Sequence, residues 1–508
     1  MLSENNKRIA KNTIMLYIKM LFIMIISLYS VRMLLNTLGV VDFGIYDVVG
    51  GIVTMLGFMS GVMSNASQRF FAFELGRNNI PQLTKIFNTV NLIYIIIAVV
   101  ILLLAETLGL WFLKEKMTIP ADRMDAALWV YQFSILSFII TILNIPYMAM
   151  ILAYENMKMY AIISVLDVLL KLVIIIPLTT TTHDKLKLYA ILIFSVTLFI
   201  TLTYCFICMR KYEAVRFKLE FDNSSFKTIL AYSGWNLFGA ITGILNNQGI
   251  NILLNIFFGP IVNASRAIAY QINYAVNSLS SNLYTAVNPQ IIKSYAADDR
   301  DRMFLLVFSS SKFAFFLLLL LSIPIFLEIE YILALWLSQV NEYMIVFTRL
   351  VILHSLINVW EGPLTQTVRA MGNIRNYQIA VGAVTLLTVP VSYILFKLGY
   401  PPESAFVVLI IIYFVATFIR LFILKQLVEF PVKKYIRNVL FVNIIVTLLA
   451  SIAPVVIYNL MGDSLFRLII LFMSSLVSVA FFVYCIGLNK NEKQKMLLYL
   501  KKYRPLSK

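Results

Sequence analysis

Apolar residues in this chain come in long unbroken runs separated by short polar breaks. Each run is about the 20 residues that a helix needs to cross a hydrocarbon core. The runs are continuous, which argues against the ten-residue alternation of a β-barrel; only closed helical hydrogen bonding then satisfies the backbone in lipid. The pattern predicts fourteen spans. The first six are Thr13–Leu35, Ile45–Phe71, Ile86–Leu110, Ala127–Ile151, Tyr160–Leu178 and Leu188–Met209. The next six are Ile229–Phe258, Ala264–Ile292, Met303–Leu327, Met344–Val368, Gln378–Phe396 and Ser404–Leu424, and Val439–Tyr458 and Leu465–Ile486 complete the set. The seventh and eighth are the most polar, rich in Asn and Ser.

Of the 508 residues, 60% are hydrophobic and 13% charged, against about 45–50% and 25% in soluble domains. Little chain is left for an aqueous domain. The first span follows Lys7, Arg8 and Lys11 and ends at Arg32 without a small-residue cleavage site, so it reads as a retained span and not a signal peptide. A net charge of +17 would by itself fit a nucleic-acid binder, but its distribution excludes that reading. With the N-terminus inside, 28 basic residues fall in inner segments and six in outer ones: Lys114, Lys116, Arg123, Lys185, Lys187 and Lys397. This positive-inside pattern predicts two cytoplasmic termini. The tail NKNEKQKMLLYLKKYRPLSK fits either an amphipathic helix on an anionic membrane face or a solvated end. Cys205 and Cys208 have CxxC spacing in an apolar helix, and with Cys485 they read as packing residues, not a metal or redox site.

Two internal echoes point to a repeat. LLNTLGVVDFG from Leu34 returns as LLNIFFGPIVN from Leu253, an offset of 219 residues. Pro146, Ala153, Asn156, Lys158 and Tyr160 return with identical spacing as Pro363, Ala370, Asn373, Arg375 and Tyr377, an offset of 217. An offset covering six spans gives two halves of the same orientation, a known transporter plan. The predicted fold class is therefore an all-α polytopic membrane protein, with two parallel six-helix bundles and two C-terminal helices. Its divisions are an N-terminal lobe, 1–209; an inter-lobe linker, 210–228; a C-terminal lobe, 229–424; and two further helices with a basic tail, 425–508. No re-entrant selectivity element is evident, so alternating access is expected in preference to a channel.

Charged residues inside spans need protein or water around them, since lipid exposure at mid-helix costs about 2.5–3.5 kcal/mol on insertion scales. Lys19, Arg32, Asp167, Lys171, Arg266, Lys312, Arg349 and Glu361 are such residues, whereas Arg420 and Arg467 read as closer to the interfaces and able to snorkel. Arg32, Arg266, Lys312 and Lys19 are candidates to line a cationic cavity for an anionic cargo. Asp167 and Lys171, four apart, either neutralise each other or form part of a coupling-ion site. Glu361 precedes Gly362–Pro363, where the missing proline N–H opens the helix, and His354 lies seven residues earlier. These residues form either a protonatable gating patch or a satisfied polar contact at a kink.

The eighth span places Asn273, Asn277, Ser281, Tyr284 and Asn288 within about 80° of arc. The seventh adds Asn247, Asn251 and Asn255 at four-residue spacing. These stripes either glue helices together or hydrogen-bond sugar hydroxyls, and their length favours a lining role. No Walker sequence or metal cluster is present in the motif pattern, no cofactor is expected, and no enzymatic constellation rises above background.

The stretch VRMLLNTLGVVDFGIYDVVGGIVTMLGFMSGVMSNASQRFFAFELGR resembles the start of the polysaccharide exporters of the multidrug/oligosaccharidyl-lipid/polysaccharide superfamily, and most of all the bacterial O-antigen and capsule repeat-unit flippases. The residues that carry it are Arg32, Leu38–Gly39, Phe43–Gly44, Tyr46, Arg69–Phe70 and Gly76. The resemblance implies a two-lobed inner-membrane flippase that turns an undecaprenyl-diphosphate-linked oligosaccharide from the cytoplasmic to the periplasmic leaflet, in which Arg32 carries over as a cavity charge. It also implies membrane lipids, a proton or sodium ion, and polysaccharide polymerase and glycosyltransferases as partners. The segment Ser30–Val31–Arg32–Met33 departs from the two arginines around a glycine usual in the first span of peptidoglycan-precursor flippases. A cation or drug exporter of the same fold and a non-transporting scaffold in an envelope-synthesis complex are the competing expectations.

Overall fold

The computed structural model describes residues 2–39, 42–43, 45–46, 49, 57–116, 119–216, 222–337, 340–489 and 492–494. Gly44, most of the start of the predicted second span, part of the inter-lobe linker and the basic tail beyond 494 lie outside them. The principal helices of the first half are α1 (Leu2–Leu38), α2 (Gly57–Gly76), α3 (Ile80–Leu104), α4 (Met124–Ala153), α5 (Met157–Val173) and α6 (Lys185–Lys211). There follow α7 (Asn223–Phe258), α8 (Pro260–Ala296), α9 (Arg300–Trp336), α10 (Glu342–Asn358), α11 (Glu361–Met371), α12 (Arg375–Leu386) and α13 (Ser404–Val428), then α14 (Phe441–Leu460) and α15 (Leu465–Phe482). Among the described residues, 12 stretches are long and apolar enough to cross a membrane. Of the fourteen predicted spans, the second is described only in part, as α2, and the eighth is α8, whose Asn and Ser stripe keeps its average polarity too high to count among the 12.

Local chemistry sets the helix starts. Asn79 caps α3, Asn156 caps α5 and Asn341 caps α10, each side-chain oxygen accepting from an amide three residues on. Asp184 caps α6 by accepting from the amides of Leu186 and Lys187. Its carboxylate is also gripped by Arg123, which binds Asp42 as well. Burial alone raises Asp184, but the Arg123 and amide hydrogen bonds outweigh it and hold the carboxyl below its ordinary range.

The chain divides into two compact units. Unit 1 comprises residues 1–240, 288–299 and 369–375, and unit 2 comprises 241–287, 300–368 and 376–508. In unit 1, α4 packs against α2, α3 and α6, and α1 packs against α5. Ala126, Ala127 and Ala190 sit in the α4–α6 cluster, where small side chains let the helices approach closely. In unit 2, α9 is the spine, packed by α10, α14 and α15. The helices are apolar outside as well as inside: Leu448, Ile452, Val456 and Leu460 form an exposed stripe on α14, opposite buried Asn443, Val446, Ala450 and Pro454. An aqueous surface does not tolerate such a stripe; a hydrocarbon one does.

Proline shapes unit 2 by a repeated device. A helical proline cannot donate to the carbonyl four residues back, and three such carbonyls are taken up by hydroxyls from neighbouring helices. Ser475 donates to Leu320 O, freed by Pro324, at 3.1 Å; Ser478 donates to Ala450 O, freed by Pro454, at 2.9 Å. Tyr284 donates to Val359 O, freed by Pro363. Ser475 and Ser478 lie three apart on α15, so one helix face ties both α9 and α14. Replacing both serines by Ala is expected to destabilise the protein by about 1–3 kcal/mol, because two carbonyls lose their donors. Unfolding in detergent by denaturant titration checks this, and an unchanged midpoint would refute it.

Candidate functional site

In unit 2, Arg266 on α8 is 7% exposed. Its Nη1 donates to Asn251 Oδ1 at 3.2 Å, and Nη2 donates to the Asn247 main-chain oxygen at 3.0 Å and to the Asn247 side-chain oxygen. The guanidinium also lies 4.4 Å from the Tyr270 ring centre. Four-residue spacing on α7 puts both amides on one helix face, which is why they converge on a single cation. Asn255, one turn further, is exposed and outside this set. Every described partner of Arg266 is neutral, and its Nε is buried without a hydrogen-bond partner.

The helix opening expected at Gly362–Pro363 occurs just before it, in the Val359–Trp360 turn between α10 and α11. The Tyr284 ring lies over Gly362, where a Cβ would come within 2.7 Å of ring carbon. Glu361, first in α11, accepts from Arg420 Nη2 at 2.9 Å. Arg420 Nε donates to Tyr377 Oη at 3.2 Å, and Tyr377 shares a 2.5 Å hydrogen bond with Thr365. The snorkelling expected for Arg420 and Arg467 does not occur. Arg420 is 1% exposed and Arg467 5%, and Arg467 is held by Glu328 at 2.5 and 2.8 Å. A carboxylate from another helix makes burial cheaper than reaching for the interface. An opposite charge in another span was the available signal.

His354 does not join Glu361 in a bonded patch. The break after Asn358 interrupts the helix face that a seven-residue spacing assumes. His354 stands edge-on to Tyr413, with ring centres 4.7 Å apart, and its Nε2 is buried without a hydrogen-bond partner. Tyr413 also lies within electrostatic reach of Glu361 and Arg420. Lys312, 2% exposed, binds Glu492 at 2.9 Å and Gly487 O at 3.0 Å, which holds the segment just after α15 to α9.

The α8 stripe divides. Asn277 donates to Asn273 Oδ1 at 2.7 Å and to Ser355 Oγ at 3.1 Å, and Ser355 donates to Asn273 Oδ1 at 2.5 Å. With Tyr284, these residues tie α8 to α10 and its following turn. Ser281 is exposed and bonded only along its own helix at Ser278 O, 2.9 Å, while Asn288 is half-buried.

In unit 1, Asp167 and Lys171 form the expected pair at 2.9 Å. Lys19 stands 4.1 Å from the Tyr160 ring centre, and Arg32 is exposed on α1. Among the described residues, no carboxylate lies within ion-pair distance of Lys19, Arg32 or Arg266. Asp167 and Glu361 each have a basic partner. The charges singled out from the sequence therefore leave a cationic excess once their pairing is known. No group of three or more His, Cys, Asp or Glu among the described residues is placed to hold a metal ion.

No protein-family model and no curated protein sequence matches the chain. Solved structures do. An outward-facing multidrug resistance MATE family transporter of the MOP superfamily superposes with a TM-score of 0.72 and 12% identity, covering 85% of this chain and 96% of the other. A MOP superfamily transporter from Pyrococcus furiosus, described by the reverse polarity of its binding pocket, gives 0.71 and 12% over 85% and 96%. The MATE transporter ClbM in complex with Rb+ gives 0.70 and 14% over 83% and 94%. The chain is a multi-pass membrane protein with the fold of MATE transporters of the MOP superfamily.

Proposed function

We propose that this protein is an alternating-access flippase for a large anionic glycolipid, an undecaprenyl-diphosphate-linked oligosaccharide. It would carry the lipid from the cytoplasmic to the periplasmic leaflet of the inner membrane, with both termini cytoplasmic. The observation that carries this reading is the charge left after pairing. Arg266 is buried against neutral amides, Lys19 and Arg32 face no described carboxylate, and Asp167 and Glu361 are matched by bases. A guanidinium held in place by neutral acceptors keeps its charge for a phosphate, to which it binds through charge-assisted hydrogen bonds. An organic cation meets the wrong sign there. Within this fold the polarity of a binding pocket is already tied to function in the Pyrococcus furiosus transporter's description.

Asn247, Asn251, Asn255, Ser281 and Asn288 are the proposed contacts to sugar, while Asn273, Asn277, Tyr284 and Lys312 serve the protein's own packing. Glycosyltransferases supply such a cargo and a polymerase consumes it, which gives the movement a direction even without a coupled ion.

The second reading, ion-coupled export of organic cations, is favoured by the multidrug MATE structures and by the Rb+ complex among them. In that reading Glu361, paired with Arg420, is the coupling group. One assay separates the two. Reconstituted vesicles are given a fluorescent diphosphate-linked oligosaccharide or an organic cation, with and without proton and sodium gradients. Flipping of the glycolipid, unaffected by the cation, supports the proposal; cation export without glycolipid movement overturns it. In the same vesicles, Glu361→Gln is expected to abolish any gradient dependence if Glu361 couples protons, and an unchanged dependence removes that role.

A further inference from the structure

Unit 1 contains two short pieces of the second repeat, 288–299 and 369–375, and both are held by residues that the sequence reading did not single out as sites. The first grip belongs to Arg69 of α2. Its Nε donates to Arg369 O at 3.2 Å and its Nη2 to Ala370 O at 3.1 Å, the end carbonyls of α11. A helix C-terminus carries partial negative charge, so the guanidinium is favoured there twice over. The rings of Phe70, Phe73 and Tyr232 surround it at 4.7, 4.8 and 5.4 Å. Gly372, at φ +85°, ends α11 so closely against Arg69 that a Cβ would strike the guanidinium.

The second grip closes on Glu155, in the turn between α4 and α5. Glu155 has φ 60°, and its side chain is 0% exposed. It accepts from Lys293 Nζ at 2.6 Å, from Gln290 Nε2 and from Arg8 Nε at 2.9 Å, while Asn12 donates to its main-chain oxygen at 3.2 Å.

The two grips are related by the repeat. The 217-residue offset that aligns Pro146 with Pro363 also aligns Glu155 with Gly372, and both residues are left-handed. After α2 and after α8 the chain makes the same turn, with the same three backbone hydrogen bonds and with Asn78 and Asp298 at φ 55° and 56°. Gly76 fits against α8, where a Cβ would lie 2.8 Å from Lys293 O. Thus α2 of the first repeat holds the α11–α12 turn of the second, and the end of α8 in the second repeat holds the α4–α5 turn of the first. The geometry is shared and the charge is inverted: a cation on carbonyls in one, a buried carboxylate among donors in the other.

We propose that Arg69 and Glu155 form a paired clasp that keeps the basic, cytoplasmic end of the protein closed, and that both grips must open before cargo enters from that side. This rests on the alternating-access reading, but its test needs no cargo. In a protein with Cys205, Cys208 and Cys485 replaced by Ser, spin labels at Lys85→Cys and Ala297→Cys report the width of this end in nanodiscs by pulsed dipolar spectroscopy. The parent is expected to give one short distance. Glu155→Gln and Arg69→Gln together should raise a longer-distance population roughly tenfold or more, and each alone should raise it less. Gly372→Ala changes no charge and should have the same effect by displacing Arg69. If neither the double variant nor Gly372→Ala changes the distribution, the clasp does not hold this end closed. If the end opens as expected in a protein that does not flip the glycolipid, the clasp stands and the proposed cargo falls.

Discussion

Glu328→Ala is expected to destabilise the protein by about 3–5 kcal/mol, the range for removing one member of a buried ion pair. Glu328 and Arg467 are both buried, and of the four described acceptor contacts of the Arg467 guanidinium the two from Glu328 would be lost, leaving the Met461 carbonyl at 2.9 Å and Asp463. Asp463, also paired with Arg467, is exposed and cannot make up for the lost carboxylate. Glu328 also has non-helical backbone angles, φ −97° and ψ 16°, so α9 bends where the pair forms. The control is Glu330→Ala. Its partner Arg349 lies 3.1 Å away, Glu330 is exposed and Arg349 half-buried, so the expected loss is under about 1 kcal/mol. Denaturant titrations of both variants in one detergent decide the matter; equal midpoints would mean that burial does not set the strength of these pairs.

Arg266→Ala should slow glycolipid flipping at least about tenfold, since hydrogen bonds from a charged group, here those it would make to the phosphate, are worth about 1.5–3 kcal/mol each. Arg266→Lys should recover little, because an ammonium cannot hold Asn247 and Asn251 with the two arms of a planar fork. The more informative variant is Asn247→Asp. It preserves shape while giving Arg266 a carboxylate partner, so it removes the excess charge without removing the arginine. Flipping should fall as it does in Arg266→Ala, with the unfolding midpoint unchanged or raised. Asn247→Asp protein that flips at the parent rate would show that the uncompensated cation is not what receives the cargo.

The helices were legible because their signal is local. An unbroken apolar run is visible residue by residue, and so are caps such as Asn79, Asp184 and Asn341. The i, i+4 pair Asp167–Lys171 was legible for the same reason, as was the convergence of Asn247 and Asn251 on one face. The eighth span was legible as Ala264–Ile292 despite its polarity, and the residues that tie α8 to α10 are the ones that lower its apparent fitness for a membrane. The fate of the charges was not legible. Arg420 looked free to reach an interface until Glu361 was found beside it, and Lys312 looked like a cavity residue until Glu492 was.

The sequence by itself determined membrane residence and helical class. Each follows from spacing along one chain, in which hydrocarbon accepts only apolar, internally bonded segments. Only the tertiary structure decided which charges are neutralised. An ion pair between helices depends on two side chains meeting within about 4 Å, and residues 361 and 420, or 155 and 293, show their opposite charges in the sequence but not which charge each will meet. It also gave the repeated spacing a physical form: the echo of Pro146 in Pro363 became a pair of turns, one held by Arg69 and the other by Lys293.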